Sequence, residues 1–214
     1  MPAPNRSVLG LTGQAASPKI APMKESVLSA FADSARVKEQ FAHEHADRIA
    51  QVAKLMAEAF RNGYKVLLFG NGGSATDAAH IAAEFVGRYK RDRMPLPAIA
   101  LATDIAAITC IANDYGYDEL FARQVRAHGR KGDIAVAIST SGNSPNVLKG
   151  AEAARDCGLT TIAWTGANGG KLAGLVEYPF MVPSTVTSRI QESHITLGHV
   201  LCELVEEQLL GKTS

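Results

Sequence analysis

Five short apolar runs, each followed by a longer helical pattern or a loop, constrain the fold of this chain more than any other feature. They lie at residues 65–69, 98–102, 134–138, 160–164 and 178–182. Near-continuous apolar runs of this length are typical of strands that are covered on both faces of a sheet. They predict an α/β fold with a five-stranded parallel sheet flanked by helices, and such sheets bind ligands at the carboxyl ends of their strands.

Residues 24–62 precede the first strand and carry apolar side chains at helical spacing among polar ones. We interpret them as two N-terminal helices, ended by Asn62 and Gly63. Residues 1–22 contain one short apolar segment, at 8–11, which is too short for the core of a signal peptide. We expect a flexible tail over residues 1–22, with Met23 as a candidate natural start, and a single domain over residues 23–214.

Composition excludes several classes of protein. The net charge is +1, from 22 basic and 21 acidic residues, so the chain has no overall field that would attract nucleic acid or a membrane. Its 3 cysteines lie far apart without CxxC spacing, which favours free thiols in a reducing compartment. No apolar run approaches the roughly 18 residues of a membrane span. We expect a cytoplasmic protein with no nucleic-acid or membrane partner.

A glycine-rich loop, residues 70–74, follows the first strand and leads into a helix. Its glycines would let backbone N–H groups approach an anion at the start of that helix. Gly70, Gly72 and Ala75 match a weak dinucleotide fingerprint, G-x-G-x-x-A, but no acidic residue ends the second strand at about the expected spacing. A turn that needs glycine only for its backbone conformation is the remaining alternative.

A second loop, residues 139–145, follows the third strand and is rich in hydroxyl groups. Pro145 suits the first helical position and Ser144 the N-cap, so a helix begins there. The other hydroxyls and several N–H groups then face the positive end of the helix dipole. An ordinary capped turn would need fewer hydroxyl groups, so the loop favours binding of phosphate or a sugar.

His80 and Glu84 lie four residues apart, about 40° from each other on one face of an otherwise apolar helix. Two ionisable groups in such surroundings are costly unless they are paired or functional. They predict an acid–base or metal-binding pair. The alternative is a simple ion pair that stabilises an exposed helix face.

The last helix offers further candidates. His194 lies about 60° to one side of Gln191 and His199 about 80° to the other, so the spacing does not choose between the two histidines. Gln191 could also belong to a capping box with Ser188. The helix is apolar nearly all round, which indicates burial against more than one surface.

Two polar segments remain ambiguous. Asn113 and Asp114 lie in a break after the second strand and fit either an Asx turn or a clamp on sugar hydroxyls. A basic run fits a solvated loop, or a surface that steers an anionic substrate. Its members are Arg88, Lys90, Arg91 and Arg93.

Four stretches closely resemble the phosphoheptose isomerases of the sugar-isomerase (SIS) domain superfamily. They are GNGGSATDAAHIAAEF at 70–85, IANDYGYDELFARQV at 111–125, ISTSGNSPN at 138–146 and RIQESHITLGH at 189–199. The resemblance runs from about residue 24 to 211 and implies the flavodoxin-like SIS fold. It also implies reversible conversion of sedoheptulose 7-phosphate to D-glycero-D-manno-heptose 7-phosphate through an enediol, the first step towards activated heptoses for bacterial surface polysaccharides.

The same resemblance implies roles for individual residues. Glu84 and His199 match the proton-transfer pair of the family. The positions that match zinc ligands of some members are His80, Glu84, Gln191 and His199. The positions that match substrate-binding residues are Asn71, Gly72, Gly73, His80, Glu84, Asn113, Asp114, Ser139, Thr140, Ser141, Ser144 and Gln191.

The resemblance further implies a homotetramer with active sites between subunits. Two other functions stay open at this point. A relative in the same superfamily binds the bacterial replication initiator without catalysis, but that class should lack the acid–base residues. Isomerisation of another phosphosugar, such as a pentose or hexose phosphate, is the second alternative.

Overall fold

The computed structural model describes residues 20–211. Its helices are α1 (Ile20–Arg61), α2 (Gly73–Val86), α3 (Ile105–Tyr115), α4 (Leu120–His128), α5 (Pro145–Asp156) and α6 (Thr187–Leu210). Its strands are β1 (Val66–Gly70), β2 (Ala98–Ala100), β3 (Ile134–Ile138), β4 (Thr160–Gly166) and β5 (Tyr178–Val182). Short 3₁₀ turns lie at Tyr117–Glu119 and Leu172–Gly174.

All five strands pair in parallel, in the order β2-β1-β3-β4-β5. This confirms the predicted α/β fold class and its five-stranded parallel sheet. Each strand overlaps its predicted run, although β2 at the sheet edge is shorter than expected and β4 is longer. The loops after β1 and β3 lie side by side because these two strands are neighbours.

Helices cover both faces of the sheet. Successive residues of β1 point to opposite sides, as the pleat of a strand requires. Val66 and Leu68 pack in a core with α1, α2 and α6, whereas Leu67 and Phe69 pack in a second core with α4 and α5. Both strand faces are therefore buried, which explains the near-continuous apolar runs. Across residues 20–211, no helix combines the length and apolarity needed to cross a membrane.

The N-terminal helical segment is one continuous helix of 42 residues, α1, where two helices were predicted. Residues 24–61 contain no glycine or proline, so nothing in the sequence interrupts the backbone hydrogen bonds. The predicted stop is confirmed at Asn62 and Gly63, whose φ is 75°. Residues 1–19 of the predicted tail lie outside the described residues, and α1 begins within its last three.

Candidate active site

The glycine-rich loop joins β1 to α2 through backbone that only glycine adopts easily. A Cβ at Gly70 would lie 2.7 Å from the carbonyl oxygen of Ile138, so β1 and β3 approach closely here. Gly72, with a φ of 55°, occupies the N-cap position of α2, and no side chain caps this helix. The glycines are thus required by the backbone, and the positive end of α2 is left without a side-chain cap.

Asn71 ties this loop to the start of α5. Its Nδ2 donates to Oδ1 of Asn146 at 2.8 Å, and Asn146 Nδ2 donates back to Asn71 Oδ1 at 2.9 Å. The hydroxyl of Tyr117 also donates to Asn71 Oδ1, at 3.0 Å. Sequence analysis assigned no role to Asn146 or Tyr117, because the partners of an amide in another loop leave no local pattern. The substrate-binding role of Asn71 stays a prediction.

The hydroxyl-rich loop has the predicted N-cap position but not the predicted cap. Ser144 adopts extended backbone before Pro145, yet its hydroxyl makes no bond to the first turn of α5. Its Oγ lies 3.1 Å from Oγ of Ser139 instead, and Ser141 Oγ lies 3.5 Å from the same atom. Three hydroxyl groups therefore cluster beside a helix N-terminus that no side chain caps, which is the arrangement that binds anions.

A polar cavity of about 280 Å³ adjoins this loop. Thr140 and Ser141 line it, together with residues that follow β4 and β5 and begin α6. Gly142, with a φ of 64°, packs directly on the backbone of Gly169, so the loop after β4 supports the hydroxyl-rich loop. The predicted anion-binding residues thus open onto a space at the carboxyl ends of the strands.

The ionisable candidates of α2 and α6 meet in one cluster. Nε2 of His80 lies 3.3 Å from Oε1 of Glu84 and 3.1 Å from Nε2 of His199. The His80 side chain is 49% exposed and that of Glu84 26%, so a ligand can reach the cluster from solvent. The pair on α2 is thus part of a three-residue group and more than an isolated helix ion pair.

His194, the other histidine of α6, contacts a different part of the molecule. Its ring is fully buried, and Nε2 lies 3.1 Å from the carbonyl oxygen of Thr165. Burial lowers the pKa of His194 to about 4, although the bond to that carbonyl opposes the shift. The geometry therefore brings His199 to the site, a choice that residue spacing left open.

Gln191 lies against the N-terminal turn of α2. A Cβ at Gly73 would collide with Nε2 of Gln191, so a side chain at position 73 would displace the Gln191 carboxamide. The capping-box alternative is wrong, because Val186 holds the N-cap position of α6 and Ser188 lies inside the helix. The Gln191 side chain therefore extends from α6 to the end of the glycine-rich loop.

Asn113 and Asp114 belong to the last turn of α3, where a break was predicted. The helix continues to Tyr115 and ends at Gly116, whose φ is 88°. Both side chains are exposed, and Asn113 Nδ2 donates to Asp114 Oδ1 at 2.7 Å. The Asx-turn alternative is therefore wrong, and a role as a clamp on sugar hydroxyls stays a prediction.

Asp77 is a neighbour of the cluster that sequence analysis missed. It lies one helical turn before His80 on α2, and its Oδ2 is buried without a hydrogen-bond partner among residues 20–211. Burial raises the pKa of this carboxyl, and the nearby His80 partly opposes that effect. Its spacing from His80 was visible in the sequence, but its burial was not.

The donor atoms of the cluster fit a zinc ion. The ligating atoms of His80, Glu84 and His199 all lie within 4.8 Å of one another. Imidazole and carboxylate are common zinc ligands, and two ligand atoms on one tetrahedral zinc lie about 3.3 Å apart. The separations of 3.1 and 3.3 Å in the cluster agree with that value. Three protein donors can hold such an ion, with Gln191 as the predicted fourth.

Comparison with known proteins defines the class. The model of the SIS domain family matches residues 31–166, so this chain belongs to the SIS-domain proteins. A phosphoheptose isomerase of Aquifex aeolicus is 58% identical over 191 residues, which are 89% of this chain and 100% of that protein. A phosphoheptose isomerase of Thermodesulfovibrio yellowstonii is 57% identical over 187 residues, 87% of this chain and 93% of the relative. Within the SIS-domain proteins, the chain belongs to the phosphoheptose isomerases.

A solved structure agrees with this assignment. The phosphoheptose isomerase of Neisseria gonorrhoeae has a TM-score of 0.82 and 44% identity, covering 86% of this chain and 99% of that one. The family model ends at the last residue of β4, before the helix that carries Gln191 and His199.

Proposed function

We propose that this protein interconverts sedoheptulose 7-phosphate and D-glycero-D-manno-heptose 7-phosphate. The observation that carries the proposal is the cluster of His80, Glu84 and His199, which lies on the two helices that meet at the glycine-rich loop. A ketose–aldose isomerase needs a base for carbon, a group that moves protons between oxygens, and an anchor for phosphate. The names of the relatives support the substrate.

Two residues carry the proton transfers. The Glu84 carboxylate removes the proton from C1 of the ketose, which forms an enediol, and returns it to C2. The His199 imidazole donates a proton to O2 and accepts the one that leaves O1. The C1–H and O1–H bonds break while the C2–H and O2–H bonds form, so the product is the isomeric aldose. General acid–base catalysis of this kind contributes about 10²–10⁴-fold for each group.

The two loops hold the substrate. The phosphate binds at the N-terminus of α5 through the hydroxyl-rich loop, because backbone N–H groups and hydroxyls converge there without a side-chain cap. The hydroxyls of the sugar chain bind to the glycine-rich loop, to Gln191 and to the end of α3. The proposed substrate-binding set is Asn71, Gly72, Gly73, His80, Glu84, Asn113, Asp114, Ser139, Thr140, Ser141, Ser144 and Gln191.

We also propose one zinc ion per subunit, held by His80, Glu84, Gln191 and His199. When bound, zinc would supply Lewis-acid polarisation of the substrate carbonyl. Metal analysis of the purified protein, followed by activity assays after chelation, tests this proposal. We expect about one equivalent of zinc and loss of turnover after its removal. Full turnover by a metal-free sample would contradict a catalytic ion.

The proposed assembly is a cytoplasmic homotetramer with active sites between subunits. Two exposed apolar features support it. A groove of about 280 Å³ between α1 and α6 is lined by Val200, which is 37% exposed, and by Leu204 among others, and Phe31 of α1 is 76% exposed. Large exposed apolar patches are typical of protein–protein interfaces. Light scattering tests the assembly, and a monomer at working concentration would contradict it.

A substrate panel tests the proposed reaction. The purified protein is incubated separately with sedoheptulose 7-phosphate, a pentose 5-phosphate and fructose 6-phosphate, and the aldose products are measured. We expect turnover of the heptulose phosphate in clear preference to the others. Turnover of another phosphosugar without the heptulose would replace the substrate. Absence of turnover with all three in a folded protein would favour a binding protein, although the acid–base cluster argues against that class.

A further inference from the structure

The loop between α2 and β2 is fastened to α6 by one buried carboxylate. Glu206 accepts hydrogen bonds from the backbone N–H groups of Tyr89, Lys90 and Arg91, each at 3.0 Å. Nε of Arg93 donates to the same carboxylate at 3.0 Å, and the two side chains of this ion pair are 3% and 2% exposed. Although burial tends to raise the pKa of Glu206, the three N–H groups and the guanidinium together lower it.

Arg93 connects this carboxylate to the end of α2. Its guanidinium donates to the backbone carbonyl oxygens of Glu84, at 2.9 Å, and Phe85, at 2.8 Å. These carbonyls lie in the last turn of α2, where no N–H group of the helix remains to donate to them. The ion pair of Arg93 and Glu206 therefore joins the backbone of Glu84 directly to α6, the helix that carries His199.

The loop also places an aromatic ring on the site. The ring of Tyr89 stacks on the imidazole of His199, with centroids 5.6 Å apart and planes inclined by 23°. His199 and Glu206 are seven residues apart, so they lie on one face of α6, towards the loop. The basic run is accordingly not a free solvated loop, since Lys90 pairs with Glu203 of α6 and Arg93 with Glu206.

We propose that Tyr89 is a positioning residue for His199, held in place by the buried pair of Arg93 and Glu206. The stacked ring limits the orientations of the imidazole to those that face Glu84. The backbone bonds of Glu206 fix the ring in turn, because they include the N–H of Tyr89 itself. This inference rests on the proposed proton-transfer role of His199, and the aromatic ring, not the phenol hydroxyl, carries it.

The test compares Tyr89→Leu with Tyr89→Phe. We expect Tyr89→Leu to lower kcat about threefold to tenfold with KM nearly unchanged, since a stacked aromatic pair contributes on that scale. Tyr89→Phe keeps the ring and should retain wild-type kcat. Glu206→Gln should lower kcat in the same way, because its amide group cannot accept all four hydrogen bonds. Glu203→Gln, an exposed change on the same helix face, is the matched control.

A second measurement does not depend on activity. The NMR signal of the ¹³Cε1-labelled His199 ring, assigned from its loss in His199→Gln, reports the ring current of a stacked aromatic. We expect this signal to move in Tyr89→Leu and to stay near its wild-type position in Tyr89→Phe. An unmoved signal in Tyr89→Leu, or equal kcat in Tyr89→Leu and wild type, would overturn the proposal. If the wild type turned over no phosphosugar, the proposed function would fail, and the NMR result alone would decide whether Tyr89 orients His199.

Discussion

Acidification should destabilise the folded protein through His194. Nε2 of this buried ring lies beside the Thr165 carbonyl and donates to it, and Nδ1 has no partner among residues 20–211. Protonation would place a second N–H in surroundings without an acceptor, so burial lowers the pKa from 6.5 to about 4. The unfolded chain takes up this proton below pH 6.5. The stabilising contribution is therefore complete above pH 6.5 and is lost as the pH falls towards 4.

The magnitude follows from the two pKa values. The difference between 6.5 and about 4, at about 1.36 kcal/mol per pH unit, corresponds to about 3 kcal/mol of unfolding free energy. Loss of that amount is a large fraction of the stability of an ordinary domain. Other groups that titrate in this range, such as His45, whose pKa burial also lowers, remain in a His194 variant and cancel in the difference.

Urea unfolding at pH 7.5, 5.5 and 4.5 measures the effect in the wild type and in His194→Gln. The glutamine Nε2 can replace the donor to Thr165 but does not titrate. We expect the variant to be less stable at pH 7.5 and to lose about 2.5 kcal/mol less than the wild type between pH 7.5 and pH 4.5, because the full difference is reached only below pH 4. The same loss of stability in both proteins would refute the assignment of a neutral, buried His194.

Three further substitutions test the site and its supports. Glu206→Gln should cost about 3–5 kcal/mol of unfolding free energy because it leaves Arg93 buried without its partner charge. Glu203→Gln, at an exposed pair, should cost less than about 1 kcal/mol. Equal unfolding midpoints for the two variants would contradict this contrast. Asn146→Ala removes both amide hydrogen bonds to the glycine-rich loop and should cost about 1–3 kcal/mol by thermal or urea unfolding, and an unchanged midpoint would show that the loop is held otherwise. Gly73→Ala should raise KM for the phosphosugar by displacing the Gln191 carboxamide, and steady-state kinetics with unchanged KM would argue against Gln191 as a substrate ligand.

The sequence predicted the sheet well because burial on both faces leaves a local signal. Each strand overlaps a run of apolar residues, and the rule for parallel sheets then places both predicted anion-binding loops at the carboxyl ends of the strands. The continuity of α1 was also open to prediction from the absence of glycine and proline in residues 24–61. The two-helix interpretation missed it by relying on apolar spacing alone.

The site was less predictable because its geometry depends on packing between distant elements. Spacing gives the angle between His194 and His199 on α6, but only the packing of that helix on β4 and α2 decides which one is buried. Ser144 bonds to Ser139 within its own loop instead of capping α5, and the partners of Glu206 lie in the loop between α2 and β2. Residue types and spacing predict neither the missing N-cap bond nor the buried carboxylate. His80 and Glu84, one turn apart on α2, were recognisable because their relation is local.

The kcat for sedoheptulose 7-phosphate in Glu84→Gln and His199→Gln, with Glu203→Gln as the control, tests the central claim most directly. Circular dichroism and light scattering establish that each variant keeps the fold and assembly of the wild type. We predict that each of the first two substitutions lowers kcat by at least about 10²-fold and that the control retains wild-type kcat. Wild-type kcat in either folded variant would contradict the assignment of proton transfer to Glu84 and His199.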